Sequence, residues 1–468
     1  MTAARVLAEW ALGPAPADAP GDVREAACRH LLDGLGTAVA AGRTSMAAPA
    51  VTVARGLGGP AEATVLGTGE RGSAVAAALA AGTLVHALDF DDTHAGGLVH
   101  ATAVVLPAAL AVGEQAGASG AEVLAAVIAG YETVCRVAAA APHGFHARGL
   151  HATMSCGVMS AAIVTARLLR LGPEKAVDAL GIAGSQAGGL LEFLATGAST
   201  KQLHPGLASA SGILAARLAA AGASGPDSVL EGPQGLYAAL AGRTVAAEAV
   251  TAGLGETWET TRITVKPYPA CQLMHVTLDA ATEALRRHDV RAAEVIEVIA
   301  DVHPDSAGIV CEPAERKTRP RTPYDAKFSL PWTVAALLLD GEVTLATYSP
   351  ESLRRPEVAD LAARVRTVVT PAEGVAADAP GRVRLRLADG HVIEGRVPRS
   401  VGGPDRPLGD LDLDAKFTAN AADASSPESG EKAAELARRV RGLAAEPDLS
   451  TIVALADRLA RPAPEEQK

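Results

Sequence analysis

The stretch Ser73-Ala74-Val75-Ala76-Ala77-Ala78-Leu79-Ala80-Ala81-Gly82-Thr83-Leu84-Val85-His86-Ala87-Leu88 decides the fold class, and it runs straight into Asp89-Phe90-Asp91-Asp92-Thr93-His94. Alanine has the highest helix propensity, so residues 74–88 read as a helix. The run is shorter than the roughly 20 apolar residues that a membrane-spanning helix needs, and it carries Thr83 and His86, which makes it a buried helix. The cluster that follows, with His100 just beyond it, places three carboxylates and three imidazoles between apolar runs. Titratable groups held against a core have shifted pKa values, a mark of functional sites.

Working outward, helical apolar spacing with Gly and Pro breakers recurs at 24–41, 102–117, 120–141, 156–170, 173–181, 209–221 and 246–253. Strand signals are nearly absent before residue 265, so this part is expected to be an all-α domain. Lys266-Pro267-Tyr268-Pro269 interrupts the pattern. After one helix at 273–287 come strand-like stretches at 295–302, 364–370, 382–387 and 391–397. The last two alternate polar and apolar residues around Ala388-Asp389-Gly390, a hairpin signal, because Asp-Gly supplies the positive φ of a tight turn. These predict an α+β domain at about 266–400. Residues 402–431 read as a connector, and the helices expected at 432–444 and 449–459 are too short to form a core alone, so they return to the helical domain.

The 468 residues suggest two domains, and 49% hydrophobic against 20% charged residues is enough apolar material for folded cores. A formal net charge of −11 disfavours nucleic-acid binding, since phosphates need a basic stripe. The first residues show neither a basic n-region nor a long apolar h-region, so no signal peptide and no membrane segment are predicted, and a cytoplasmic location fits. Cys28, Cys135, Cys156, Cys271 and Cys311 are scattered, with no pair at metal-ligand or redox spacing.

Three histidines precede helical runs: His100, His151 and His204. A helix N-terminus favours anions and lowers an imidazole pKa, and Lys201 lies three residues before His204. Together they suggest a pocket for a substrate with more than one carboxylate, with Gly149, Gly197 and Gly206 freeing the entry loops. Each feature also has a bland reading: capping or core histidines, a solvated acidic corner, a lysine snorkelling from the surface. His86, Asp89, Asp91, Asp92 and His94 include donor atoms that a divalent metal takes, and Asp91-Asp92 is similar to the aspartate-rich motif of terpene synthases. No second acidic motif follows, and aromatics are only 3%, a poor lining for a carbocation. No phosphate loop or dinucleotide fingerprint is present. The expectation is therefore no metal and no cofactor.

Several blocks together resemble the MmgE/PrpD family, which includes 2-methylcitrate dehydratase and cis-aconitate decarboxylase. They are His86 to His94, Val99-His100 through Leu106-Pro107, Arg148-Gly149-Leu150-His151-Ala152-Thr153, Thr200-Lys201-Gln202-Leu203-His204, Lys266-Pro267-Tyr268-Pro269-Ala270-Cys271, Tyr324-Asp325-Ala326-Lys327-Phe328-Ser329-Leu330-Pro331, and Lys416-Phe417. The resemblance implies a mainly α fold: a large all-α helical domain from 1–265 plus 415–468, with a smaller α+β lid domain, 266–410, inserted. It also implies a homodimer, a cofactor-independent site between the domains, and functional residues at Asp89, Thr93, His100, His151, Lys201 and His275. Two departures stand out. Family members acting on tricarboxylates often carry Arg where this chain has Gln202 and Gln272, and a neutral amide cannot replace a bidentate guanidinium on a carboxylate.

The expected function is a cofactor-independent lyase on a small hydroxy- or unsaturated di- or tricarboxylate, working by dehydration or decarboxylation. His100 and His151 form the acid–base pair, Asp89 orients an imidazole, and Lys201 pairs with carboxylate. Thr93, His204, His275, Gln202 and Gln272 line the substrate. An epimerase or isomerase, a metal-dependent synthase and a non-catalytic ligand-binding member of the family are the alternatives.

Overall fold

Alanine and glycine set how closely the helices meet. In the computed structural model, which describes residues 1–462 apart from 289, 373 and 424–425, the chain is mainly α and divides into two units. The first comprises Met1–Leu191, Thr200–Val265 and Gly409–Lys468; the second comprises Glu192–Ser199 and Lys266–Leu408.

The core of the first unit is a set of apolar helices: Ala74–His86, Ala101–Ala116, Gly120–Ala139, Ala152–Leu168 and Thr200–Ala220. Ser73 caps the first of them by accepting from the Ala76 N–H, and Ser119 with Glu122 forms a capping box on the third. Gly82 and Gly206 form a close crossing: a Cβ on Gly82 would lie 2.6 Å from Gly206 Cα, and one on Gly206 would lie 2.3 Å from the Leu79 carbonyl oxygen. The contact is backbone against backbone, so no side chain can yield. Gly206→Ala is therefore expected to cost about 3 kcal/mol as overpacking. Gly56, where nothing lies within 4 Å of the added methyl, is the control, and Ala there should be neutral or slightly stabilising. Urea-unfolding midpoints of the two variants check this, and equal midpoints would contradict the crossing.

Three expectations are corrected here. The helix placed at 209–221 begins nine residues earlier, at Thr200. Its opening turns carry the buried polar residues Lys201, Gln202 and His204, so no apolar stripe announces them, and Pro205, a residue that ordinarily breaks a helix, stands inside it at the sixth position. Gly206 thus serves a helix crossing, not an entry loop. The connector at 402–431 contains the helix Asp410–Ala421, whose buried Phe417 packs against Gly36 of the helix Gly21–Gly42. The helix expected at 246–253 shrinks to Glu248–Thr251. Helices Ala3–Leu12 and Ala48–Leu57 and two small antiparallel strand pairs add to the elements expected from the sequence. One of those pairs, Thr93–His94 with Ile263–Thr264, ties down the acidic cluster.

The second unit has a four-stranded sheet in the order Val365–Val369, Val295–Val302, Gly381–Leu387, Val392–Val397. The first pair is parallel and the others are antiparallel. The Asp389-Gly390 hairpin forms as the alternation predicts, with Gly390 at φ 89°. The helix His275–Arg287 lies on the sheet, close enough that a Cβ on Gly381 or Gly395 would strike its backbone.

Candidate active site

Where the helix Ala74–His86 ends, the chain turns through Asp89, whose φ of 50° is unusual for a residue with a side chain. The turn is held from several sides. Asp92 accepts from both the N–H and the hydroxyl of Thr102 in the first turn of Ala101–Ala116, and Tyr131 OH lies 2.7 Å from that hydroxyl. His94 Nε2 lies 2.8 Å from Glu259, while its Nδ1 accepts from the Gly97 N–H. Lys416 donates to the Phe90 carbonyl at 2.9 Å, pairs with Asp33 at 2.6 Å and sits 3.9 Å above the Phe90 ring. The C-terminal segment therefore fastens the middle of the Asp89-Phe90-Asp91 turn.

At the centre stands Lys201, buried in the first turn of its helix. Its Nζ lies 3.0 Å from His86 Nε2, 3.1 Å from Asp89 Oδ1 and 3.4 Å from His100 Nε2. The partners of the rings assign their tautomers. His86 Nδ1 donates to Asp91 at 2.8 Å, and His100 Nδ1 donates to the Asp92 carbonyl at 2.9 Å, with Thr93 Oγ1 at 3.2 Å. Both rings consequently turn an Nε2 lone pair toward the ammonium. His151, at the start of Ala152–Leu168, lies 5.8 Å from the His86 ring and 5.7 Å from the His100 ring, centroid to centroid. Its Nδ1 faces His204 Nδ1 at 3.1 Å, so one of the two nitrogens carries the proton between them.

The structure thus brings Asp89, Thr93, His100, His151, Lys201 and His204 together in one buried cluster. Gln202 is adjacent in sequence, but its amide N–H donates to the Ala87 carbonyl at 3.1 Å. Gln272 and His275 belong to the second unit, where Gln272 donates to Ser400 and His275 Nε2 meets the Ala270 carbonyl at 3.0 Å. The sequence offers His86 and Asp91 only as metal donors; the five-residue spacing from the helix end to Asp91 is what lets the carboxylate fold back onto the ring. Asp91, Asp92 and His94 are buried, which overturns a solvated acidic corner. His86, Asp89, Asp91 and His100 each offer one donor atom, all within 4.8 Å of one another, as metal ligands would be.

Burial dominates the electrostatics. It lowers the pKa of His86, and it drives that of His151 far down with the help of Lys201. Burial, then the charges of His86 and Lys201, bring His204 to about 4. His30, 3.4 Å from Asp92, falls to about 4 while Asp92 rises to about 7, both chiefly through burial. That pair holds one proton across the intervening pH range in the folded chain and also one when unfolded, so its linkage nearly cancels. His204 lies against His151, whose pKa falls as well. Its folded pKa is below the unfolded value, so its contribution is present above pH 6.5 and is lost as the pH falls through 4. The loss is about 3 kcal/mol at roughly 1.4 kcal/mol per pKa unit, and His86 and His151 act in the same direction. Urea unfolding of the whole chain should therefore weaken by at least that amount between pH 6.5 and 4. A flat profile over this window would refute it.

The model of the MmgE/PrpD N-terminal domain matches residues 5–248 and that of the MmgE/PrpD C-terminal domain residues 268–441. The chain belongs to the MmgE/PrpD family. It is 30% identical to a cis-aconitate decarboxylase of Aspergillus terreus over 85% of this chain and 84% of that protein. It is 28% identical to the cis-aconitate decarboxylase-like protein oryM of Aspergillus oryzae over 96% of each, and 30% identical to the cis-aconitate decarboxylase of Mus musculus over 74% and 71%. This MmgE/PrpD member is an enzyme of the lyase class, of the decarboxylase and dehydratase kind. Among the described residues no helix is long and apolar enough to cross a membrane.

Proposed function

We propose that this chain is a cofactor-independent lyase that decarboxylates a small unsaturated acid carrying fewer carboxylates than citrate-type substrates. The observation that carries the reading is the Lys201 ammonium, buried among His86, Asp89 and His100 with His151 alongside. A substrate carboxylate takes up the ammonium, exchanging with the longest of its three contacts, that to His100. As carbon dioxide leaves, the electron pair of the broken C–C bond passes into the remaining conjugated acid, and Lys201 stabilises the enolate-like charge. A histidine N–H then protonates the carbon. His151 is the candidate for this step, with His204 fixing which of its nitrogens carries hydrogen, whereas His100, whose Nε2 is a lone pair, donates only after taking up a proton there.

Dehydration is the second reading, favoured by the His100 tautomer. An Nε2 lone pair is a base, suited to removing a proton α to a carboxylate. The substrate half of the proposal rests on Gln202 and Gln272, whose amide donors are engaged by Ala87 and Ser400 and bring no positive charge. The test is a panel of mono-, di- and tricarboxylic acids, cis-aconitate included, incubated in deuterated water and followed by NMR. Loss of carbon dioxide with deuterium at the adjacent carbon supports decarboxylation, and loss of hydroxyl supports dehydration. Bare exchange points to an epimerase. A kcat/KM for cis-aconitate above that of every dicarboxylate would overturn the substrate half and leave the reaction class standing.

A further inference from the structure

The three acceptors around Lys201 are also the ligand set of a metal site. His86 Nε2, Asp89 Oδ1 and His100 Nε2 converge on the ammonium nitrogen from 3.0, 3.1 and 3.4 Å. Two imidazoles and a carboxylate suit zinc, cobalt and nickel, and Asp91 lies behind them on the Nδ1 side of His86. The surrounding layer matches as well. A metal-bound histidine donates its other N–H to a carboxylate or carbonyl, as His86 does to Asp91 and His100 to the Asp92 carbonyl. All four side chains are buried, so their orientations are held by the core. An ammonium and a tetrahedral metal ion ask for the same thing, several lone pairs directed at one centre. They differ in reach, because metal–nitrogen bonds are about 2.1 Å, so each ligand atom would move inward by about 1 Å.

We infer that Lys201 occupies the metal position of a built two-histidine, one-carboxylate site, and that the chain takes up a divalent transition-metal ion there once the ammonium is removed. The lysine is a covalently tethered resident cation. It brings one positive charge where a metal ion would bring two, and it keeps the ligand atoms apart at hydrogen-bonding distance. This inference concerns cation binding alone and holds whatever the reaction proves to be.

The test compares the full-length wild type, Lys201→Ala and the double variant Lys201→Ala/His100→Ala in titrations with Co²⁺, read by visible absorption and calorimetry. Lys201→Ala is expected to bind one Co²⁺ per chain at least about 100-fold more tightly than wild type, with the strong d–d absorption of a site of low coordination number, and the double variant should return to wild-type affinity. Two results overturn the inference: Lys201→Ala binding no tighter than wild type, or an affinity unchanged by the added His100→Ala. If metal-free Lys201→Ala is unfolded, the same titration is followed by far-ultraviolet circular dichroism. Metal-driven folding then supports the site, and no response overturns it.

Discussion

Lys201→Ala is expected to lower kcat/KM by about 10³-fold or more, the largest loss from any single substitution in the cluster. The reason is electrostatic. Lys201 brings a positive charge to a buried point faced by Asp89 and by Nε2 of His86 and His100. Without it, an incoming carboxylate meets carboxylates in a medium that screens poorly, and the charge that develops as a bond breaks has no counter-ion. Lys201→Arg should fail nearly as badly, because a planar fork cannot direct three donors at acceptors arranged around a single nitrogen. Breaking a buried ion pair also destabilises, by about 3–5 kcal/mol, so the assay belongs with an unfolding curve on the same sample. It should also contain a chelator, since the emptied position is a candidate metal site. Activity within tenfold of wild type in a folded, chelated Lys201→Ala preparation would remove Lys201 from the chemistry.

Helix spacing and hairpin alternation were legible in the sequence because each reports a burial pattern directly. The 74–86 helix and the Asp389-Gly390 hairpin follow from that alone. The density of titratable groups in residues 86–100 was legible too, since such groups are rare between apolar runs. What escaped was geometry that depends on partners distant in sequence. The first two turns of the Thr200–Ala220 helix carry buried polar side chains, so apolar periodicity starts late and leaves Lys201 ahead of the helix expected from it. The Asp410–Ala421 helix has three large apolar residues in twelve positions, one of them the exposed Leu411, and its register is set by Phe417 seating against Gly36. His86 looked like the end of an apolar helix. Only the fold shows that Asp91 returns to its Nδ1 and leaves Nε2 facing the lysine.

The His100 tautomer supports a second large effect, and it also suggests the substitution that isolates it. His100 uses its two nitrogens differently: Nδ1–H anchors the ring to the Asp92 carbonyl, and Nε2 faces Lys201. An asparagine amide can place its N–H near the Nδ1 position and has nothing at Nε2. His100→Asn should therefore keep the anchor and the fold, shown by an unfolding midpoint close to wild type, while kcat falls by about 10²–10⁴, the usual contribution of a positioned acid or base. KM should change much less than kcat, because in the proposed reading Lys201 still holds the carboxylate. His100→Ala loses the anchor as well and should lower both stability and rate, so the two variants separate the structural duty of the ring from its chemical one. A His100→Asn enzyme with kcat within a few-fold of wild type would assign proton transfer to His151, leaving His100 as an acceptor that holds the lysine.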